Sequence, residues 1–303
     1  MKSEVLLREA QDAGFFLAAV TGNRFRLENC RSVLAVGLVY GNDRNGIEEY
    51  EGGDRPEIPA KIAPFARRNY YRAAVQKLRN IARNLRGEYG GKKADYRIYC
   101  NSSATDEKKI AFESGMAEIG RNSLLLTKEY GSLFITGILA LPFTCDTEGR
   151  ANPAGRDPFA LCKGCGHNPP CKAACPTGAI TGEYRIQKER CIQWYLSGHG
   201  NGQENGYGDA IPDRVKTHWG NRLYGCTLCQ DACVYHQKTV GGVDCAIGIL
   251  PAVMDARRIA NASGAEVKDM FHGTALGLSW LCPDGLKRNA ELCVESANCV
   301  DLC

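Results

Sequence analysis

Eight cysteines carry the clearest chemistry in this chain of 303 residues. The run LCKGCGHNPPCKAACPTGAI sets out Cys162-x2-Cys165-x5-Cys171-x3-Cys175-Pro176, and YGCTLCQDACVYHQ sets out Cys226-x2-Cys229-x3-Cys233; Cys191 stands between them in RCIQWYL. Thiolates are soft ligands, so reduced cysteines gathered at this density point to metal or cluster binding. Eight thiolates are the number that two 4Fe–4S clusters need. Two CxxC pairs are also the pattern of a four-thiolate zinc site, which is the competing reading. Zinc leaves the CPTGA segment and the remaining thiols without a role.

The order of the spacings follows the logic of bacterial two-cluster ferredoxins. Three cysteines of one loop grip one cluster, and the fourth, followed by Pro, serves the other. On that logic Cys162, Cys165, Cys171 and Cys233 hold the first cluster, and Cys175, Cys191, Cys226 and Cys229 hold the second. The x5 gap filled by GHNPP is longer than the usual x2, and Cys233 is followed by Val234 rather than Pro. Both are loop-level differences that keep the ligands. Cys282, Cys293, Cys299 and Cys303 follow no ligand spacing and are expected to be free thiols rather than a third metal site. His167, His199, His218, His236 and His272 are scattered and are expected on the surface or in loops.

Composition narrows the setting. Sixteen cysteines suit either a secreted disulfide framework or an intracellular metal protein. The N-terminus, MKSEVLLREAQDAGFF, has charges throughout and lacks the apolar run of a signal peptide. The longest apolar stretch, Leu133 to Leu141, is too short to cross a bilayer and runs into Pro142. The expectation is a cytoplasmic protein with reduced thiols and no membrane partner. A hydrophobic content of 44% with 24% charged residues excludes a wholly disordered or fibrous chain. The net charge of +4 is too small to imply nucleic acid by itself. Residues 61–97, however, hold eleven Lys or Arg against two acids, a net of +9. That stretch is either a solvated helix face or a surface for a phosphate-rich partner such as RNA. Arg68, Arg72, Arg79, Arg83 and Arg86 would line one side of it.

The elements that position these residues are partly legible. Residues 2–13 read as a helix. Ser32 to Tyr40 (SVLAVGLVY) and Leu133 to Leu141 read as buried strands. Residues 41–60 read as a loop, Arg67 to Arg86 as an amphipathic helix, Tyr96 to Cys100 as a short strand and Thr105 to Ile119 as a helix. Asp106 and Glu107 fall in the first turn of that last helix, where the dipole favours acids. They are expected to cap it and to face away from any neighbouring pocket. Residues after Gly241-Gly242 look helical. The turn-rich DTEGRANPAGRDP marks a boundary near 145–160. The organisation expected is an α/β domain over 1–158, a double-cluster domain over 159–240 and a helical segment over 241–303.

From about residue 30 to about 291 the sequence resembles the epoxyqueuosine reductases, the cobalamin- and iron–sulfur-dependent family of the last step of queuosine synthesis on tRNA. They are distant relatives of the reductive dehalogenases. The resemblance is carried, in order, by SVLAVGLVY, AKIAPFARRNYY, GMAEIGRNSLLLTKEYGSLFITGIL, RCIQWYL, NRLYGCTLCQDAC and SWLCPDGLKRNA. It implies an α/β (α+β) fold: a nitroreductase-like, corrinoid-binding domain followed by a ferredoxin-like domain with two clusters. It implies cobalamin as a cofactor, with Lys61, Cys100, Asn101 and Asn122 as contacts by motif position and Ser197 more weakly. It also implies an electron donor of ferredoxin or flavodoxin type and a tRNA substrate, met here by the basic region 61–97. The family's proton-donating Asp stands 21 residues before the Asn of its GKN-like element; counting back from Asn122 lands on Asn101. The family's His after its DY pair is Tyr71 here. An amide does not give up a proton as a carboxylic acid does, so Tyr71, Asp106 and Glu107 are the nearby substitutes. A related reductase with another substrate, and an electron carrier with none, are the alternative readings.

Overall fold

The computed structural model describes residues 1–41, 56–146, 157–182, 184–198, 211–236 and 242–300. In chain order its main elements are α1 (Ser3–Asp12), β1 (Leu17–Gly22), β2 (Ser32–Val39), β3 (Pro59–Ile62), α2 (Tyr70–Tyr89), β4 (Arg97–Tyr99), α3 (Glu107–Glu113), β5 (Glu118–Ile119), β6 (Leu125–Leu126), β7 (Phe134–Leu141), α4 (Pro170–Ala173), α5 (Ile192–Leu196), α6 (Asp213–Lys216), β8 (Arg222–Tyr224), α7 (Leu228–Asp231), β9 (Val253–Asp255), α8 (Ala256–Asn261), α9 (Gly264–Met270) and α10 (Pro283–Val300). The fold is mixed α/β. The chain forms two compact units, one of Met1–Asn42, Tyr70–Gly166 and Val234–Cys245, the other of Asp43–Asn69, His167–Cys233 and Ala246–Cys303. Each is assembled from separated stretches, so the units cut across 1–158, 159–240 and 241–303, which are divisions by motif content.

The first unit is built on an antiparallel sheet in the order β1-β2-β7-β4. Every residue of β2 is buried and nearly all of β7, which explains their continuous apolar runs. Helix α2 lays Ala74, Leu78, Ile81 and Leu85 toward this core. Its contact with β7 is close because position 137 has no side chain: a Cβ on Gly137 would stand 2.8 Å from Leu78 Cδ1. Segment 234–245 returns to this unit, where the Val243 amide donates to the Val39 carbonyl at 2.8 Å. That return buries His236, at 2% exposure, against Gly131. Of the histidines expected on the surface or in loops, His236 lies in a buried turn, His167, His218 and His272 are exposed, and His199 lies outside the described residues.

Other expectations shift at element ends. The helix read over Thr105 to Ile119 is only Glu107–Glu113. Gly115, at φ +81°, turns the chain out of it, and Glu118–Ile119 pairs with Leu125–Leu126 as a two-stranded ribbon. The loop read over 41–60 ends in β3, while 42–55 lie outside the described residues. Helix α2 starts at Tyr70, so Arg68 precedes it and does not share the face of Arg72, Arg79, Arg83 and Arg86.

The second unit holds the sheet β8-β3-β9, with β3 parallel to β8 and antiparallel to β9. Its core surrounds the fully buried Trp219, with Leu196, Val215, Leu223, Phe271 and Ala290 among its members. Helices α8, α9 and α10 supply the helical C-terminal part, and β9 is a short strand within it. Among the described residues no helix is long and apolar enough to cross a membrane.

Candidate cluster ligands and a polar pocket

Three of the four thiols assigned to the second cluster are gathered within the second unit. Cys175 follows α4, and the turn through Gly178, at φ +64°, brings the Ala179 amide to its sulfur at 3.3 Å. Cys191 is the N-cap of α5, with the Gln193 and Trp194 amides directed at its sulfur. The Cys226 amide donates to Gln193 Oε1 at 2.9 Å, and its sulfur faces the Leu228 amide. Burial pushes the Cys191 and Cys226 thiols up, and their proximity to Cys175 pushes both further. Neighbouring thiols disfavour one another's ionisation unless a metal neutralises them. Cys229 lies on α7, which packs on α4. Gly225, at φ +98°, is what lets this loop approach β3: a Cβ there would stand 2.2 Å from Cβ of Ala63.

Of the first set, Cys162 and Cys165 belong to the first unit, Cys171 and Cys233 to the second. Cys162 and Cys171 are buried, Cys165 and Cys233 half-buried. The Arg121 amide donates to Cys162 Sγ at 3.4 Å, and the turn is anchored by Leu161 N to Glu118 Oε2 at 2.7 Å and by Tyr235 Oη to Leu161 O at 3.1 Å. Among the described residues no three His, Cys, Asp or Glu side chains converge as ligands of one ion. Buried thiols with amides aimed at sulfur are a donor set that fits iron–sulfur clusters. Cys293 is a core residue whose thiol burial pushes up to about 12, and Cys282 Sγ accepts the Gly285 amide at the start of α10. The side chains of Cys299 and Cys303 lie outside the described residues.

The first unit also contains a polar pocket of about 170 Å³, lined by Tyr71, Asn101, Glu107, Lys108, Ser132 and Thr136 over an apolar floor that includes Phe134 and Ile135. Asn101 has φ +54°, and this left-handed turn folds the chain back on α3. The Asn101 amide donates to Glu107 Oε2 at 3.0 Å and the Ser102 amide to Oε1 at 2.7 Å. Asp106 caps α3 as expected, accepting from the Lys109 amide at 3.0 Å. Glu107 does not behave as expected: it faces the pocket, because the loop before α3 supplies two amides on that side. Burial pushes its carboxyl above the usual range, the two amides pull it down and Asp106 adds a push upward.

Of the residues picked out by motif position, Tyr71 and Asn101 meet at this pocket. Cys100 directs its thiol to the Thr136 carbonyl at 3.3 Å, and burial pushes it up to about 12. Asn122 is buried and its Oδ1 accepts the Leu124 amide at 3.3 Å, closing a turn. Lys61 and Ser197 belong to the second unit. Lys61 is exposed on β3, and Ser197 exchanges hydrogen bonds with Gln193, 2.9 Å each. A corrin is far larger than a cavity of about 170 Å³, since even drug-sized ligands take about 300–1,000 Å³. The pocket is sized for a small polar ring and does not by itself fit cobalamin.

A second cavity of the first unit, about 620 Å³, is lined by Arg79, Arg83 and Arg86 of α2 together with Lys93, Tyr96 and Ile98. No acidic side chain among the described residues pairs with those four cations. Elsewhere in the basic stretch, Arg97 pairs with Glu28 at 3.3 Å and Lys77 Nζ donates to the Ala13 carbonyl.

Comparison with known proteins completes the picture. Residues 161–236 match the family model of the 4Fe-4S double cluster binding domain. A Burkholderia pseudomallei protein named epoxyqueuosine reductase is 30% identical over 182 residues, 59% of this chain and 41% of its own length. A Synechocystis protein of the same name is 29% identical over 273 residues, 88% of this chain and 83% of its own length. The solved structure of epoxyqueuosine reductase from Streptococcus thermophilus matches with a TM-score of 0.76 at 18% identity, covering 97% of this chain and 81% of that one. The chain resembles the epoxyqueuosine reductases. It spans less than half the length of the Burkholderia pseudomallei and Pseudomonas aeruginosa relatives it matches. At 18–20% identity the likeness to the epoxyqueuosine reductase structures is one of fold.

Proposed function

We propose that this protein is a cytoplasmic iron–sulfur reductase that removes the epoxide oxygen of epoxyqueuosine in tRNA. Electrons enter from a reduced donor of ferredoxin or flavodoxin type and pass through two 4Fe–4S clusters. The observation that carries the reading is the gathering of Cys175, Cys191 and Cys226 inside the stretch that matches the double-cluster domain, in a chain that also offers a small polar pocket. The eight-cysteine assignment rests on spacing. Cobalamin is proposed from the resemblance alone; when bound it supplies a strongly reducing metal centre. Its candidate contacts are Lys61, Cys100, Asn101, Asn122 and Ser197.

The chain's own residues do the following in this reading. Asn101 offers an amide N–H to a substrate oxygen, and Tyr71 and Ser132 offer hydroxyls. The apolar floor excludes water from the reacting ring. Arg79, Arg83, Arg86 and Lys93 hold RNA phosphates, an assignment supported by four cations around one cavity that have no acidic partner among the described residues. One epoxyqueuosine reductase has been solved with an epoxyqueuosine-modified tRNA-Tyr stem loop.

The test is turnover. The protein, with clusters reconstituted anaerobically and cobalamin added, is given a low-potential reductant and an epoxyqueuosine-containing stem loop. Mass spectrometry of the released nucleoside should show loss of one oxygen. No conversion, with clusters intact and reducible, would favour a reductase of another substrate if cobalamin raises the melting temperature, and an electron carrier if it does not.

A further inference from the structure

Among the described residues, the polar pocket beside Asn101 is lined by one carboxyl group, that of Glu107. We propose that Glu107 is the acid of this pocket and gives its proton to the oxygen that leaves the bound substrate. The inference rests on the reductase reading above.

The other lining groups are poorer donors. Asn101 offers a hydrogen bond but keeps its proton. Lys108 directs Nζ to the Ser123 carbonyl at 2.6 Å. A general acid works best when it titrates near neutral pH. Burial pushes the Glu107 carboxyl upward, toward that range. The titratable groups around it are Asp106, which adds to the upward push, Cys100, whose thiol Glu107 itself pushes up, and Tyr71 and Lys108, which line the same pocket. A carboxylate has about four lone-pair sites. The Asn101 and Ser102 amides use two, fixing the group in place and leaving a site for the proton that the carboxyl donates to the substrate oxygen.

Converting an epoxide to an alkene breaks two C–O bonds, forms one C=C bond, consumes two electrons and two protons and releases water. The reduced iron–sulfur donor supplies both electrons. The Glu107 proton goes to the oxygen as the first C–O bond breaks. Solvent supplies the second proton and recharges the Glu107 carboxylate.

The test compares wild type, Glu107→Gln, Asn101→Asp and the double variant, all with reconstituted clusters, added cobalamin and the epoxyqueuosine stem loop. Glu107→Gln should lower kcat by about 10²–10⁴-fold, the usual worth of general acid catalysis. The double variant should recover much of that loss, because Asn101→Asp puts a carboxyl back in the pocket. A role limited to holding the 101–102 loop would not be rescued, since a carboxyl at position 101 does not replace the acceptor of those amides. A second readout is independent of turnover: a ¹³C NMR titration of the Glu107 carboxyl, assigned by its loss in Glu107→Gln, should show a midpoint above the ordinary value of about 4.3. Glu107→Gln at wild-type rate, a double variant no better than Glu107→Gln, or an ordinary midpoint would overturn the assignment. If wild type does not convert the substrate, the reductase reading fails, and an ordinary midpoint would then overturn the Glu107 assignment as well.

Discussion

Asn289 shows what a motif residue does once its surroundings are known. It is fully buried, and its Nδ2 donates to the carbonyls of Leu196 at 3.2 Å and Leu223 at 3.0 Å. Its neighbour Arg288 donates to the Tyr195 carbonyl, and burial lowers that guanidinium to about 10. The Arg288-Asn289-Ala290 run is thus a staple that ties α10 to the end of α5 and to β8. Asn289→Ala would leave two carbonyls without their donor, at a cost of about 1–3 kcal/mol. Urea unfolding of the cluster-loaded protein, followed by fluorescence and by cluster absorbance, checks this; an unchanged midpoint would show that the staple contributes nothing. The residues were legible in the sequence as a resemblance, but their role was not, because the partners lie 66 and 93 residues away. The orientation of Glu107 was hidden for a different reason. Two acids opening a helix look alike in sequence, and only the left-handed turn at Asn101 makes one the cap and turns the other into the pocket.

Among the elements, those with long apolar runs were the most legible. SVLAVGLVY and the stretch from Leu133 to Leu141 are strands because both faces of the sheet are covered. The short elements escaped: Glu118–Ile119 lies in a stretch that reads as helix, and Pro59–Ile62 in one that reads as loop. One side chain reinforces the pairing of β3 with β9 at the start of α8. Asp255 accepts the Arg258 amide at 3.0 Å with one oxygen and the Glu57 and Ile58 amides with the other. Its partial burial pushes the carboxyl up, but the amides outweigh that and hold it below the usual range. Asp255→Ala should cost about 0.5–2 kcal/mol at neutral pH, the usual worth of a helix cap. A carboxylate held low stabilises the fold above its unfolded value of about 3.9 and loses that contribution as pH falls through the lowered folded value. The gap between wild type and variant should therefore narrow in acid. A gap constant from neutral to acid pH would mean that the charge is not what the amides read.

Over the whole molecule, the cysteine spacings and the basic stretch were both visible from the start, but only one was specific. A net of +9 over residues 61–97 does not say which cations are free. The structure engages Lys77 and Arg97 elsewhere and leaves Arg79, Arg83, Arg86 and Lys93 around one cavity. If these hold RNA phosphates, stem-loop affinity should fall steeply with salt, with a slope of about −0.7 to −0.9 per phosphate neutralised. Arg79→Glu with Arg83→Glu should flatten that slope, as fluorescence anisotropy at several salt concentrations would show. An unchanged slope would return the groove to a solvated face. The two units, by contrast, could not be read from the chain, because each is stitched from separated stretches. Whether the eight cysteines hold two clusters is decided by iron and acid-labile sulfide analysis of anaerobically prepared protein. Two clusters should give about eight iron and eight sulfide per chain, in a brown preparation that bleaches on reduction. Stoichiometric zinc in a colourless protein without sulfide would contradict it.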